Sequence, residues 1–114
     1  MRNSIVGSPM LFISFFEVRD RLREGVGKIE VKCIVTPEAI TNAVAGEWEI
    51  YYISNALPDE RVPLVTSGRN PRLRVAKRLH GLFTLLHSLN LSPIEIPTIP
   101  GQACLLSYAS TPVK

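Results

Sequence analysis

The stretch 68–89 constrains the fold most, because its apolar residues repeat at a helical spacing. Asn70 suits the N-cap, Pro71 the first helical position and Asn90 the C-terminal stop. We therefore predict a helix over residues 71–89, ~28 Å long at ~1.5 Å per residue, with one buried face. The apolar residues of that face, whose main members recur at steps of four and three, are Val75, Ala76, Leu79, Leu82, Phe83, Leu86 and Leu89.

Basic residues crowd the start of this predicted helix. Residues 61–94 contain six Lys or Arg and no Asp or Glu. A helix N-terminus carries a partial positive charge and favours acids, by ~0.3–1 kcal/mol each, so cations there need a counter-charge. Either carboxylates from the first half of the chain supply it, or phosphates or an acidic partner surface do. The basic residues in or just before the first two turns are Arg69, Arg72, Arg74, Lys77 and Arg78.

The net charge of +3 is unequally divided along the chain. Residues 1–60 hold six Lys or Arg against nine Asp or Glu, a balance of −3. Residues 61–114 hold seven against one, a balance of +6. This polarity is typical of intramolecular pairing, of head-to-tail association, or of a positive face directed at a polyanion. The bulky apolar run 10–16 and the two proline-bearing strands keep a homodimer as an alternative.

The remaining residues predict a single α+β domain over residues 1–114. Ser14 and Glu17 form a capping box that opens a helix at about 14–24. The sequence Thr36-Pro37-Glu38 predicts a short helix that ends at about Ala43. We expect a mixed or mainly antiparallel sheet of about five strands, with two main helices and the short helix packed on it. Alternation, β-branched content and turn residues predict its strands at 28–35, 47–54, 61–66, 94–99 and 102–109.

Catalytic motifs are missing from the sequence, which contains no Gly-rich phosphate loop, GxSxG, HExxH or CxxC. This absence predicts a non-enzymatic protein without a cofactor. His80 and His87 lie on one flank of the predicted helix and lack the spacing of a zinc site, so no metal is expected. Glu47 and Glu49 alternate along a strand, as solvated carboxylates do. An enzyme would need a polar pocket that joins one of them to His80 or His87.

Two further pairs are interpreted as core residues. Trp48 and Tyr52 share one face of a strand, where they either pack against the long helix or offer stacking surfaces for bases. Packing is the favoured interpretation. Cys33 and Cys104 lie on separate apolar strands and are expected to be buried thiols that act as small hydrophobic residues.

The sequence predicts no membrane segment. No run approaches 18 consecutive apolar residues, and the apolar run 10–16 lacks the cleavage site of a signal peptide. We therefore expect a cytoplasmic protein with no membrane partner.

One segment resembles a pattern in small accessory proteins of bacterial plasmids and integrative elements. It is Leu64-Val65-Thr66-Ser67-Gly68-Arg69-Asn70-Pro71-Arg72, followed by the leucine-rich stretch and Leu91–Ile96, about a third of the chain in all. Such proteins resemble partition-associated or host-interaction factors, and no functional residue carries over from them. The resemblance implies a mobile-element protein that works on nucleic acid or on a host nucleoprotein machine.

Two functional hypotheses follow. The leading one is a non-enzymatic accessory protein that contacts DNA, RNA or a nucleoprotein complex through the basic helix N-terminus. The alternative is a protein-binding inhibitor of a host defence complex, similar to anti-CRISPR proteins, whose arginines pair with an acidic protein surface. The site residues of both hypotheses are Arg69, Arg72, Arg74, Lys77 and Arg78.

Overall fold

The computed structural model describes residues 12–66 and 72–109. These residues form six strands and two helices. The expected α+β class, with a mixed sheet and two helices, is confirmed. In chain order the elements are β1 (Ile13–Ser14), α1 (Phe15–Arg23), β2 (Gly27–Ile40), β3 (Ala43–Ser54), β4 (Val62–Val65), β5 (Val75–Arg78), α2 (Leu79–Ser88) and β6 (Ala103–Leu106).

The long hairpin of β2 and β3 forms the centre of the sheet. Its antiparallel pairing runs from Gly27 opposite Ser54 to Ile40 opposite Ala43. Strand β6 pairs antiparallel with β2, β4 pairs antiparallel with β3, and β1 pairs parallel with β4. Strand β5 also pairs antiparallel with β3, at residues 45–49, whereas β4 pairs with residues 51–52. Strands β4 and β5 therefore follow one another along the same side of β3.

The hydrophobic core lies between one face of the sheet and the two helices. Alternate residues of a strand point to the same face, so β2 and β3 each supply a row of buried side chains. Each fully buried aliphatic side chain stabilises the fold by ~1.5–3 kcal/mol. The core residues of these strands and helices are Ile29, Val31, Cys33, Trp48, Ile50, Tyr52, Val18, Leu22, Leu82, Leu85 and Leu86.

Local capping signals correctly locate three helix ends. The Ser14 hydroxyl accepts a hydrogen bond from the Glu17 amide at 3.4 Å, and the Glu17 carboxylate accepts one from the Ser14 amide at 3.1 Å. The predicted capping box is thus confirmed. Gly25 follows α1 with a φ of 77°. Asn90 follows α2 with a φ of 58° and donates to the His87 carbonyl, as a C-terminal stop does.

The long helix predicted over residues 71–89 is wrong in its first part. Residues Val75–Arg78 form β5, and the helix begins only at Leu79. Val75 and Ala76 fit a helical stripe and a strand equally well, but here they pair with Glu49 and Trp48 of β3. This pairing satisfies backbone groups of β3, and the cations are no longer in the first turns of a helix, where the dipole opposes them.

The short helix expected at 36–43 is also wrong. Residues up to Ile40 continue β2, and β3 starts at Ala43. Long-range pairing between the two strands overrides the local capping signal of Thr36 and Glu38. Pro37 is accommodated because it lies at a register shift between Val35 and Glu38, where no ladder hydrogen bond is required of it.

The segment 94–99 forms no strand, although its composition predicts one. Ile94 and Ile96 pack against the core, and the Pro97 carbonyl accepts a hydrogen bond from Trp48 at 2.8 Å. Side-chain packing and hydrogen bonds such as this one hold the segment in place of sheet pairing. Strand β4 lies between β1 and β3, but Pro63 itself pairs only with Tyr51, as its missing N–H requires.

The other face of the sheet carries polar residues that pair with one another. Glu30 is only 7% exposed and forms an ion pair with Arg61 at 2.7 Å. The Tyr51 hydroxyl donates a hydrogen bond to the Glu49 carboxylate. Partial burial, this hydrogen bond and the negative charges of Glu49 and Glu30 raise the pKa of Tyr51 to about 12.

This raised pKa predicts a loss of stability at alkaline pH. An unfolded tyrosine has a pKa of about 10, so the folded protein holds the Tyr51 proton more tightly than the unfolded chain does. The stabilisation is therefore complete below about pH 10 and is lost as the pH rises towards about 12. Denaturation of the native protein and of Tyr51→Phe across this range measures the effect. Equal pH dependence in the two proteins would contradict it.

Candidate nucleic-acid interface

The predicted basic residues lie along an extended segment, which we call the basic edge and define as residues 72–78. Arg72 and Arg74 precede β5, and Lys77 and Arg78 are its last two residues. Arg69 lies outside the described residues. The cations therefore approach the N-terminus of α2 along a strand, and the expectation that they occupy the first two turns of a helix is corrected.

Backbone hydrogen bonds fix the basic edge against β4 and β3. The Thr66 amide donates to the Arg72 carbonyl at 2.8 Å, and the Arg72 amide donates to the Thr66 hydroxyl at 3.1 Å. The Arg74 amide donates to the Leu64 carbonyl at 2.8 Å. Beyond Arg74, β5 is paired with β3. The backbone of these cations is thus ordered before any ligand binds, which lowers the entropy cost of binding.

Strand geometry places two of the four cations in two different grooves. Alternate residues share a face, so Arg74, Ala76 and Arg78 point towards the helices, and Lys77 points to the other face. Arg78 lines the arm groove, a cavity of about 590 Å³ between the tip of the β2–β3 hairpin and α2. Arg74 lines the helix groove, a cavity of about 490 Å³ that also contacts α1 and α2. His80 lines both grooves.

Carboxylates lie on strands beside the basic edge, with Glu49 opposite Val75, but no ion pair joins the two among the described residues. All ten Asp and Glu of the chain belong to the described residues. Within these residues the ion pairs are Arg19 with Asp20 and Arg61 with Glu30, and neither involves the basic edge. The linings of the arm groove and the helix groove contain no acidic residue. Arg78 in the arm groove and Arg74 in the helix groove therefore have no acidic residue beside them in the lining of either groove.

The start of α2 adds backbone donors to these cations. Arg78 is the N-cap residue in an extended conformation, and its side chain makes no capping hydrogen bond. The first turn contains no acidic residue. Amide groups at a helix N-terminus attract anions, so here the helix dipole and the arginines favour the same kind of ligand.

The other sequence candidates do not assemble into a reactive site. His80 and His87 are exposed on α2, which covers one face of the sheet, whereas the carboxylate of Glu49 is on the opposite face with Tyr51. Across residues 12–66 and 72–109, no group of three His, Cys, Asp or Glu is suited to hold a metal ion. Cys33 is fully buried, and burial raises the pKa of its thiol, so it is poorly reactive.

Trp48 and Tyr52 belong to the core, as the sequence pattern predicts. Trp48 is fully buried and Tyr52 is 1% exposed, so neither ring offers a stacking surface. The indole N–H of Trp48 donates to the Pro97 carbonyl, and the Tyr52 hydroxyl donates to the Val26 carbonyl at 3.2 Å. These bonds satisfy the polar ends of both rings.

Sequence reasoning missed the exposed rings beside the basic edge. Phe83 is 45% exposed in the arm groove, and Phe16 is 57% exposed in the helix groove. A helix that begins at residue 71 includes Val75 and Ala76 in its apolar stripe, and this stripe includes Phe83. A helix that starts at Leu79 already completes its stripe with Leu82, Leu85, Leu86 and Leu89, which leaves Phe83 outside it.

Comparisons with protein-family models, with curated proteins and with solved structures found no match. In the part of the chain that the structure describes, neither helix is long and apolar enough to cross a membrane.

Proposed function

We propose that the protein is a non-enzymatic accessory protein that binds a nucleic acid, alone or in a nucleoprotein complex, through its basic edge. One observation carries the proposal. Four cations within seven residues lie along one ordered segment, and none of them is in an ion pair among the described residues. These cations are Arg72, Arg74, Lys77 and Arg78.

The chemistry of the segment fits a chain of phosphates. Three of the four cations are arginines, whose planar guanidinium groups make paired hydrogen bonds to phosphate oxygens. Arg72, Arg74 and Arg78 are alternate residues of an extended backbone and therefore form a row, whereas Lys77 points to the other face. A polyanion presents charges in a row as well, whereas a single small anion would use only one or two of them.

Salt dependence tests the proposal. Three phosphate contacts, one for each arginine, give a log–log slope of about −2.1 for single strands and about −2.7 for duplex DNA. Affinity should therefore fall roughly 20- to 40-fold between about 50 mM and about 200 mM salt. The measurement is a fluorescence-anisotropy titration of the native protein with a labelled mixed-sequence DNA, as separated strands and as duplex. Binding that is absent, or indifferent to salt, for both forms would contradict the proposal.

A second candidate function is inhibition of a protein complex, as the anti-CRISPR-like hypothesis holds. The observation that favours it is the outer half of the β2–β3 hairpin, where Val35 and Ile40 are 45% and 53% exposed. Exposed apolar side chains that lie close together are typical of protein interfaces. A stoichiometric protein complex recovered by pull-down, together with no retention of the protein on nucleic acid, would favour this candidate over the first.

A further inference from the structure

The arm groove and the helix groove each combine an arginine with an exposed phenylalanine ring. Arg78 and Phe83 line the arm groove, and Arg74 and Phe16 line the helix groove. We infer that the ligand of the basic edge is a single-stranded nucleic acid whose unstacked bases lie against Phe83 and Phe16 while its phosphates contact Arg78 and Arg74. This inference rests on the proposed function and specifies its ligand.

The exposed rings are the reason to prefer a single strand to a duplex. In a duplex the faces of the bases are covered by their neighbours, so a phenylalanine ring has nothing to stack on. In a single strand every base has a free face, and proteins that bind such strands combine a positive groove with aromatic side chains. Phe83 and Phe16 are 45% and 57% exposed. His87 stacks on one face of the Phe83 ring and the Arg19 guanidinium lies over the Phe16 ring, so a base would stack on the remaining face of each.

The rings are held on rigid elements. Phe83 stacks on His87 of the same helix, with ring centroids 5.8 Å apart and an angle of 22° between the planes. Phe16 contacts Phe15 edge to face at 5.5 Å, and the Arg19 guanidinium lies 5.0 Å from the centre of its ring. Neighbours that restrain each ring reduce the entropy lost when a base stacks on it.

The distance between Arg74 and Arg78 suits an extended single strand of nucleic acid. Arg74 and Arg78 are four residues apart along an extended backbone, which corresponds to about 13 Å at ~3.3 Å per residue. They therefore contact different phosphates. His80 lines both grooves, and neither lining contains an Asp or Glu. A nucleic-acid strand that passes from one groove to the other therefore meets no carboxylate in these linings.

The test compares labelled DNA and RNA single strands of one mixed sequence with the corresponding DNA duplex. We expect the single strands to bind at least ~10-fold more tightly than the duplex, since stacking contributes only to them. Phe83→Ala should weaken single-strand binding by about 5- to 150-fold, and Phe16→Ala should have an effect of the same order. Neither substitution should alter the salt slope, because neither removes a charge.

Two control variants separate stacking from other effects. Phe12 is 49% exposed and lines neither groove, so Phe12→Ala should leave affinity unchanged. Phe83→Leu keeps an apolar side chain of similar size but removes the ring, so it should weaken single-strand binding about as much as Phe83→Ala. Denaturation midpoints of all variants show that they remain folded.

Each outcome bears on the inference. Stronger binding of either DNA or RNA single strands supports it and identifies which of the two chemistries the grooves prefer. Salt-sensitive binding of equal strength to strands and duplex, unaffected by Phe83→Ala and Phe16→Ala, would overturn the inference and leave the proposed function standing. If Phe83→Leu bound single strands as tightly as the native protein, this result would contradict the stacking of a base on Phe83. Absence of binding to every nucleic acid would overturn both the inference and the proposed function.

Discussion

The variant Arg72→Ala/Arg74→Ala/Arg78→Ala is expected to bind nucleic acid about 100- to 1,000-fold more weakly than the native protein at about 50 mM salt. Each arginine neutralises one phosphate and releases its counterions, so three contacts disappear together. Only Lys77 of the described basic edge then remains, on the other face, so the affinity should change at most roughly threefold between about 50 mM and about 200 mM salt. Anisotropy titrations at both salt concentrations measure the affinity and the slope.

A charge-matched control separates the basic edge from net charge. Arg23, Lys28 and Lys32 are exposed and line neither groove. Their replacement by alanine lowers the net charge by the same three units. We expect this control to keep most of the native affinity and the native salt slope. Equal losses in the two triple variants would mean that overall charge, and not the basic edge, attracts the ligand.

Trp48→Ala is expected to lower the free energy of unfolding by about 3–5 kcal/mol, a large part of the ~5–15 kcal/mol typical of a domain. Trp48 is fully buried, and its indole N–H donates to the Pro97 carbonyl at 2.8 Å. It also lies directly opposite Ala76 in the pairing of β3 with β5. The substitution removes core packing and leaves a carbonyl without its donor at the point where the basic edge joins the sheet.

Two further variants divide this effect into its causes. Trp48→Phe retains most of the packing but removes the N–H donor, so it should cost only about 1–3 kcal/mol. Leu105 is 56% exposed on β6, and Leu105→Ala should stay within about 0.5 kcal/mol of the native protein. Urea denaturation gives the change in the free energy of unfolding for each of the three variants. The slope of that free energy against urea concentration should be the same as in the native protein. A loss below about 1 kcal/mol for Trp48→Ala would contradict the central place of this residue in the core.

Local rules predicted the elements whose ends carry their own signals. The capping box of Ser14 and Glu17 located the start of α1 to within a residue, and Asn90 marked the end of α2. Alternating strands such as β3 were also predicted, because their pattern depends on burial of one face. The class of the fold followed from these elements.

Long-range pairing explains the errors. Whether Val75–Arg78 becomes helix or strand depends on β3, more than twenty residues earlier in the chain, which offers backbone partners along its side. The true start of α2 has no capping side chain that would reveal it, because Arg78 makes no such bond. Similarly, the pairing of β2 with β3 overrides the Thr36-Pro37-Glu38 signal. In both segments the secondary structure depends on pairing with a strand that is not part of the local sequence pattern.

The candidate site was predictable in composition but not in geometry. The excess of arginine and lysine from residue 72 to residue 78 is evident in the sequence, and so is the absence of acids around it. The division of Arg74 and Arg78 between two grooves is not evident, since it depends on a strand alternation that the sequence did not predict. The exposure of Phe83 likewise depends on where α2 begins.

The most direct test of the account is to map the binding surface residue by residue. Amide chemical shifts of the isotope-labelled native protein, recorded during titration with a short mixed-sequence single strand, would locate the ligand. We expect the largest changes along residues 72–78, at the start of α2 and beside Phe83, with smaller changes near Phe16. Changes confined to the opposite face of the sheet, around Lys28 and Lys32, would contradict the assignment of the basic edge as the binding surface.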